Sequence, residues 1–294
     1  MLKKIGFYLG VGLGHLLVLL PYCLQLKLGA FLGYLTFWLM PKRRHIVRVN
    51  LALCFPEKTA IERETLCRQS FKSLGRAAIE SVSAWLMSDR RFAQIPFKWS
   101  GKENYDAALA CGQGVIFLSA HMDCLELFCR QFGWRVPNGG LVYKKSRNPL
   151  FDKLLLRSRM RFAQFLVAHE NMRGMVKALR QKKILWYAPD QDFGRVRSVF
   201  APFFHAKAAT IVATSVLADL GQARVMPVMM HRLPEGGCHV HTYPLLANFP
   251  SGDELADATR INALIADYVR QYPEQYIWMH RRFKTRPEGE PSVY

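Results

Sequence analysis

VIFLSAHMDCLELFCRQFGW, residues 115–134, is the stretch on which the fold turns. It opens with a short apolar run, VIFLSA, of the kind that forms a strand buried on both faces. From residue 123 onward the apolar residues recur at helical spacing. A buried strand passing straight into a helix is the first half of a βαβ unit, and it leaves His121 at the strand's exit. Glu126 follows five residues later, just inside the helix.

Two readings of that pair stand side by side. On one continuous helix the two side chains would not share a face, but with His121 on the turn Glu126 lies in the first helical turn and can fold back toward the imidazole. A carboxylate on one ring nitrogen fixes the tautomer and leaves the other as a general base. Alternatively, Asp123 with Glu126 three residues later has the spacing of a capping box, Asp123 capping and Glu126 bonding back to its amide.

The same pattern continues along the chain. GLVYK (140–144), ILWYA (184–188), RVMPVMM (224–230) and CHVHTY (238–243) are further candidate strands. Helical spacing marks 123–134, 150–162, 170–181, 207–221 and 254–272, and residues 45–95 are expected to be largely helical. Strands alternating with helices predict an α/β fold with a largely parallel central sheet flanked by helices.

Residues 5–40 are almost wholly apolar, interrupted by His15, Gln25 and Lys27, with Lys3 and Lys4 before them and PKRR (41–44) after. From Ile5 to Leu26 the run is long enough for one membrane-spanning helix. A helical hairpin broken between Pro21 and Lys27 is the other reading, and it keeps both basic flanks on the cytoplasmic face. The fit to a secretory signal peptide is poor. The expected division is an N-terminal membrane anchor over residues 1–44 and an α/β catalytic domain over residues 45–294.

Lys and Arg number 41 against 22 Asp and Glu, a net charge of +19, which implies an anionic partner. The seven cysteines are scattered without a C-x-x-C, so free thiols in a reducing compartment are expected. His239 and His241 alternate along one strand face, but no third ligand shows metal-site spacing, and they read as ordinary strand histidines. Neither a G-x-S-x-G elbow nor a Walker A or G-x-G-x-x-G loop occurs. No metal or cofactor is expected.

Further polar groups gather at the other strand exits. YKKSRNPLFDKLLLRSRMR (143–161) supplies Lys144, Lys145, Arg147, Lys153, Arg157, Arg159 and Arg161, suited to an anion. Asp190 and Asp192 stand at the exit of ILWYA, followed by the apolar SVFAPFF, which fits a groove wall or a loop packed on the core. In open α/β sheets ligands collect at the carboxyl ends of strands, and such convergence is what an active site needs.

Taken in order, SAHMDCLELF, VYKKSRNPLFDKLLLRSR, YAPDQDFGRVRSVFAPFFHAKAAT and YPEQYIWMHRRFKTRP resemble the late acyltransferases of lipid A biosynthesis. These are the lauroyl and myristoyl transferases of Gram-negative bacteria, and the resemblance spans nearly the whole chain. It implies a glycerol-phosphate-acyltransferase-like fold in which His, followed after four residues by Asp or Glu, is catalytic. That motif falls on His121 and Glu126. Glu in place of the usual Asp, and the lack of an FPEGTR block, favour the lipid A branch.

The implied reaction moves a lauroyl- or myristoyl-class chain from acyl carrier protein to a 3-hydroxyacyl hydroxyl of the Kdo-bearing lipid A precursor. It belongs to lipopolysaccharide biosynthesis, at the cytoplasmic side of the cell inner membrane and among its lipids. His121 is then the general base and Glu126 its orienting partner. Arg159, with Arg157 as alternative, grips the acceptor's anionic head by analogy with the superfamily's phosphate-binding arginine. Tyr143, Lys144, Asp190, Gln191 and Asp192 are expected to position substrate. The rival readings are a phospholipid acyltransferase with a lysophosphatidate-type acceptor, and a non-catalytic, membrane-tethered basic protein binding lipid or nucleic acid. Nucleic acid is not expected as a partner.

Overall fold

The computed structural model describes residues 2–294. The chain begins with helices α1 (Leu2–Leu17), α2 (Tyr22–Leu39), α3 (Pro41–Cys54), α4 (Ala60–Leu86) and the single turn α5 (Asp89–Phe92). There follow β1 (Phe97–Ser100), α6 (Lys102–Ala110), β2 (Gly114–Leu118), α7 (Leu125–Gly133), β3 (Gly139–Tyr143), α8 (Pro149–Arg159), β4 (Phe165–Ala168), α9 (Met172–Arg180) and β5 (Ile184–Tyr187). The hairpin β6 (Ser198–Phe203) and β7 (Ala206–Ile211) precedes α10 (Ala213–Gly221), β8 (Ala223–Arg232), β9 (Cys238–Thr242) and α11 (Glu254–Gln271).

Seven strands form one sheet in the order β1-β9-β8-β2-β5-β3-β4, and every neighbouring pair is parallel except β8 with β9. This is the expected α/β architecture with a largely parallel sheet. β2 lies in the middle and is buried along its whole length, as its apolar composition requires.

Two short strands were not expected. β1 and β4 are edge strands of four residues each, too short for a periodic signal. The helix expected over 207–221 begins only at Ala213. Its first part is β7, paired antiparallel with β6 from Ser198↔Ile211 to Phe203↔Ala206. Alanines at 206, 208 and 209 favour a helix locally, but Phe204 takes a left-handed conformation (φ 53°) that turns the chain back on β6. SVFAPFF is therefore a hairpin strand packed toward α11.

The apolar N-terminus is two helices broken between Leu17 and Tyr22, where Pro21 sits just before α2 with no N–H to continue a ladder. Among the described residues no single helix is long and apolar enough to cross a membrane; α2 and α3 together have the length and composition but meet at 95°. α2 lies directly on α4. A Cβ on Gly33 would fall 2.2 Å from the Phe71 carbonyl oxygen, and one on Gly75 would fall 2.6 Å from Gly33 Cα, so the helices meet backbone to backbone. The opposite faces of α1 and α2 present Leu9, Leu13, Leu16, Phe31 and Trp38 to the outside, each more than half exposed.

Candidate active site

The parallel register builds the site. Leu118 of β2 pairs with Tyr187 of β5. Three residues beyond each partner stand His121 and Asp190, side by side at the carboxyl edge of the sheet. Asp190 Oδ1 lies 2.6 Å from His121 Nδ1, and Oδ2 accepts the His121 backbone N–H at 2.9 Å. Asp190 is buried, and burial alone would raise its carboxyl; the His121 charge and hydrogen bonds outweigh that and hold it at about 2.

The carboxylate on the His121 ring is thus Asp190's, from a neighbouring strand, and the expected His121–Glu126 pairing is corrected accordingly. Glu126 is ion-paired with Arg159 and accepts a hydrogen bond from Trp85 Nε1 at 2.9 Å. Burial opposes the charge of Arg159, but Glu126 more than offsets this and holds the guanidinium protonated. The capping alternative is not realised either. α7 starts at Leu125 without a side-chain cap, and Asp123 is turned inward to Arg232.

Arg232 anchors a buried polar cluster beneath the loop. Its guanidinium reaches Glu80 Oε2 at 2.7 Å, Asp123 Oδ1 at 3.1 Å and Ser73 Oγ at 2.8 Å. Tyr22 of α2 donates to the other oxygen of Glu80 at 2.6 Å, so the N-terminal helices are tied to the same cluster. Burial raises the carboxyl of Glu80, against the pull of Arg232. From the far side the segment after α11 clamps the loop. Asp123 N–H donates to the Gln275 carbonyl at 2.7 Å, Ile277 N–H to the His121 carbonyl at 3.1 Å, and Tyr276 forms a bridge with Met122.

His121 borders a cavity of about 180 Å³ whose walls include Tyr143, Lys144, His169, Trp186, Gln191 and Phe193. Three residues expected to bind substrate, Tyr143, Lys144 and Gln191, are therefore brought to His121. Arg157 is exposed on α8. Asp192 is committed elsewhere: it accepts from Thr285 N–H at 2.7 Å, Thr285 Oγ1 at 2.8 Å and Gly194 N–H at 2.9 Å, which fastens the C-terminal tail. His169 and Trp186 were not singled out from sequence. Both follow from strand order, Trp186 within β5 and His169 directly after β4.

Trp186 also borders a second, wholly apolar cavity between the sheet and α7, lined by Phe117, Phe128, Phe132, Leu141, Phe162 and Ala163 among others. A mixed polar and apolar cavity bordered by His121, with Asp190 buried behind the imidazole and a small apolar cavity next to it, suits chemistry on a molecule with a reactive head and a hydrocarbon tail.

Residues 1–285 match the family model described as bacterial lipid A biosynthesis acyltransferase. The chain is similar to the lipid A biosynthesis lauroyltransferase of Escherichia coli K12, with 38% identity over 98% of this chain and 94% of that one. It is 37% identical to the lipid A biosynthesis palmitoleoyltransferase of the same organism, over 98% and 94% of the two chains. With the myristoyltransferase the identity is 27% over 98% and 90%. A solved 1-acyl-sn-glycerophosphate acyltransferase from Thermotoga maritima superposes with a TM-score of 0.41 at 13% identity, covering 84% of this chain and 98% of that one.

Proposed function

Because the chain belongs to the bacterial lipid A biosynthesis acyltransferases, we propose that it transfers a fatty acyl chain from acyl carrier protein to a 3-hydroxyacyl hydroxyl of the Kdo-bearing lipid A precursor, with His121 as general base. The observation that carries this reading is the His121–Asp190 pair at the wall of the cavity. With Nδ1 held by Asp190, Nε2 is the nitrogen left to take a proton.

The steps balance as follows. The acceptor hydroxyl gives its proton to His121 Nε2 as its oxygen attacks the thioester carbonyl. Asp190, held ionised, stabilises the imidazolium. The tetrahedral intermediate collapses with loss of the carrier's thiolate, which recovers the proton from the imidazolium. No enzyme nucleophile is needed. Glu126 acts through Arg159, holding the guanidinium and the start of α7 in place rather than the imidazole. Lys144, exposed at the cavity wall, meets the acceptor's negative head, with Lys145, Arg147 and Arg157 adding to the surrounding positive field.

The acyl tail is placed behind Trp186, where the apolar cavity of about 30 Å³ has to widen to admit it. Relatives of nearly equal identity are named for lauroyl and palmitoleoyl transfer, so the depth of this cavity, not overall similarity, sets the chain accepted. α1 and α2 form the membrane-facing unit, two successive helices laid into the cytoplasmic leaflet of the inner membrane by their exposed faces. A net charge of +19 suits an acidic carrier, a phosphorylated acceptor and anionic lipid alike.

The test is acyl transfer by purified protein in mixed micelles, with acyl carrier protein thioesters as donors and the Kdo-bearing precursor or a lysophosphatidate as acceptor. Transfer to the precursor alone, abolished in His121→Ala at unchanged fold, is the expected result. Preference for the lysophosphatidate, or a His121→Ala variant with near-native turnover, sinks the proposal.

A further inference from the structure

β8 and β9 place three histidines together on one face of the sheet. Antiparallel register sets His231 directly opposite His239, and His241 lies two residues on, so its side chain returns to the same face. The ring centroids are 4.0 Å apart for His239 and His241, 5.1 Å for His231 and His239, and 5.3 Å for His231 and His241. Each ring offers one nitrogen such that all three lie within 4.8 Å of one another.

From this geometry we infer that His231, His239 and His241 form a binding site for a divalent transition metal of the zinc class. Three imidazoles are a ligand set for zinc and its neighbours rather than for calcium or magnesium. Tetrahedral zinc with Zn–N of about 2.1 Å sets its ligand nitrogens roughly 3.4 Å apart. From within 4.8 Å, the nitrogens have to close by up to about 1.4 Å to reach that spacing.

The surroundings match what ligating histidines need. A ligand histidine has its other ring nitrogen held by a hydrogen bond, which fixes tautomer and orientation. His231 Nδ1 is 2.8 Å from the Tyr268 hydroxyl, and His239 Nε2 is 2.8 Å from Ser100 Oγ. The face of His231 is braced by Tyr272, stacked at 3.7 Å. His241 Nε2 is buried and has no hydrogen-bond partner among the described residues. A buried polar atom in that state is destabilising unless something binds it, and a metal ion does so.

His231 and Tyr272 also border a solvent-connected cavity of about 660 Å³, with Glu274 on the same wall. The fourth coordination position is therefore reachable by water or by a carboxylate. Next along β8 stands Arg232, which grips Asp123 beside the His121 loop, so a metal here would brace the strand pair from which that loop is held.

The experiment uses the full chain, untagged and stripped with chelator, in detergent micelles. Zinc is titrated calorimetrically, and cobalt by its visible absorption. One equivalent per chain with a Kd of micromolar or tighter is expected, weakened at least 100-fold in His239→Asn and in His241→Asn but unchanged in His205→Asn. X-ray absorption of the zinc-loaded wild type is expected to count three imidazole ligands and needs no variant to fold. Absence of a saturable equivalent at 100 μM zinc, equal affinity in all variants, or an absorption spectrum lacking imidazole overturns the inference.

Discussion

One carboxylate, Asp190, holds both the ring and the backbone of His121: Oδ1 lies 2.6 Å from Nδ1, and Oδ2 accepts the main-chain N–H at 2.9 Å. The ring direction and the path of the loop are thus set by one buried side chain from the neighbouring strand. A single group doing both makes the imidazole's tautomer a property of the sheet register.

Asp190→Asn keeps the size of the side chain but lets an amide donate to Nδ1, which favours the wrong tautomer. The expected loss in kcat is of order 10²–10⁴, the range for a positioned general base, with little change in KM. Glu126→Gln leaves the His121–Asp190 contact untouched and is expected to cost less in kcat, while lowering stability through Arg159. Steady-state acyl transfer with both variants decides. A larger kcat loss in Glu126→Gln than in Asp190→Asn reverses the assignment of the imidazole's partner.

The same pair gives an acid limb to stability. The Asp190 carboxyl sits at about 2 in the folded chain, below its ordinary 3.8. The folded state therefore binds this proton less readily than the unfolded one, and the contribution is present above pH 4 and lost as pH falls toward 2. Its size is about 2 kcal/mol. Urea unfolding followed between pH 6 and 2.5 is expected to show that loss in the wild type and a shallower one in Asp190→Asn. Parallel acid limbs would falsify the linkage.

Much of this could be read from sequence, and the parts that could not share a cause. β2, β5 and β8 are apolar runs bounded by turns, and His121, Tyr143, Lys144 and Gln191 all stand at strand exits, so position along the chain was enough to gather them. Pairing His121 with Glu126 used the only proximity a sequence displays, closeness along the chain. The partner was Asp190, 69 residues away, because β2 and β5 are neighbours in register. His231 escaped notice as a companion of His239 and His241 for the same reason: a hairpin register, not a spacing, brings it there. The glycines of α2 were a missed local signal, since small residues four apart allow close helix approach.

The Arg232 cluster is buried, with Glu80 and Asp123 both relying on one guanidinium. Arg232→Leu leaves two carboxyls without their partner, a change that costs about 3–5 kcal/mol. Adding Glu80→Gln removes one of the stranded groups and is expected to recover part of the loss. Thermal unfolding in micelles of the single and double variants checks this. Equal stability of wild type and Arg232→Leu contradicts the role given to the cluster.

If the cavity behind Trp186 holds the acyl tail, filling it changes which donor is used. Ala163 is on its wall and is buried. Ala163→Leu adds three carbons to that space, and each methylene of the donor displaced is worth about 1–3 kcal/mol in discrimination. The expected result is a fall of tenfold or more in kcat/KM for the longest accepted acyl carrier protein thioester, with a donor two to four carbons shorter affected less. Competition between donors of different length in one reaction measures the ratio directly. An unchanged ratio places the tail elsewhere.

The exposed apolar faces of α1 and α2 give the last prediction. Leu13 is 66% exposed and Leu16 64%, yet both are large apolar side chains that gain about 1.5–3 kcal/mol each when taken out of water. They point away from α4, so a substitution there leaves the packing of α2 on Gly75 intact. In Leu13→Glu/Leu16→Glu both side chains resist entering lipid, and anionic bilayers repel them. Binding to vesicles carrying a quarter anionic lipid is expected to weaken by at least 100-fold, while thermal stability in detergent changes little. Flotation on a density gradient reads the first and unfolding reads the second. Vesicle binding that survives the double substitution assigns attachment to the basic surface alone, and with it α1 and α2 lose their place in the leaflet.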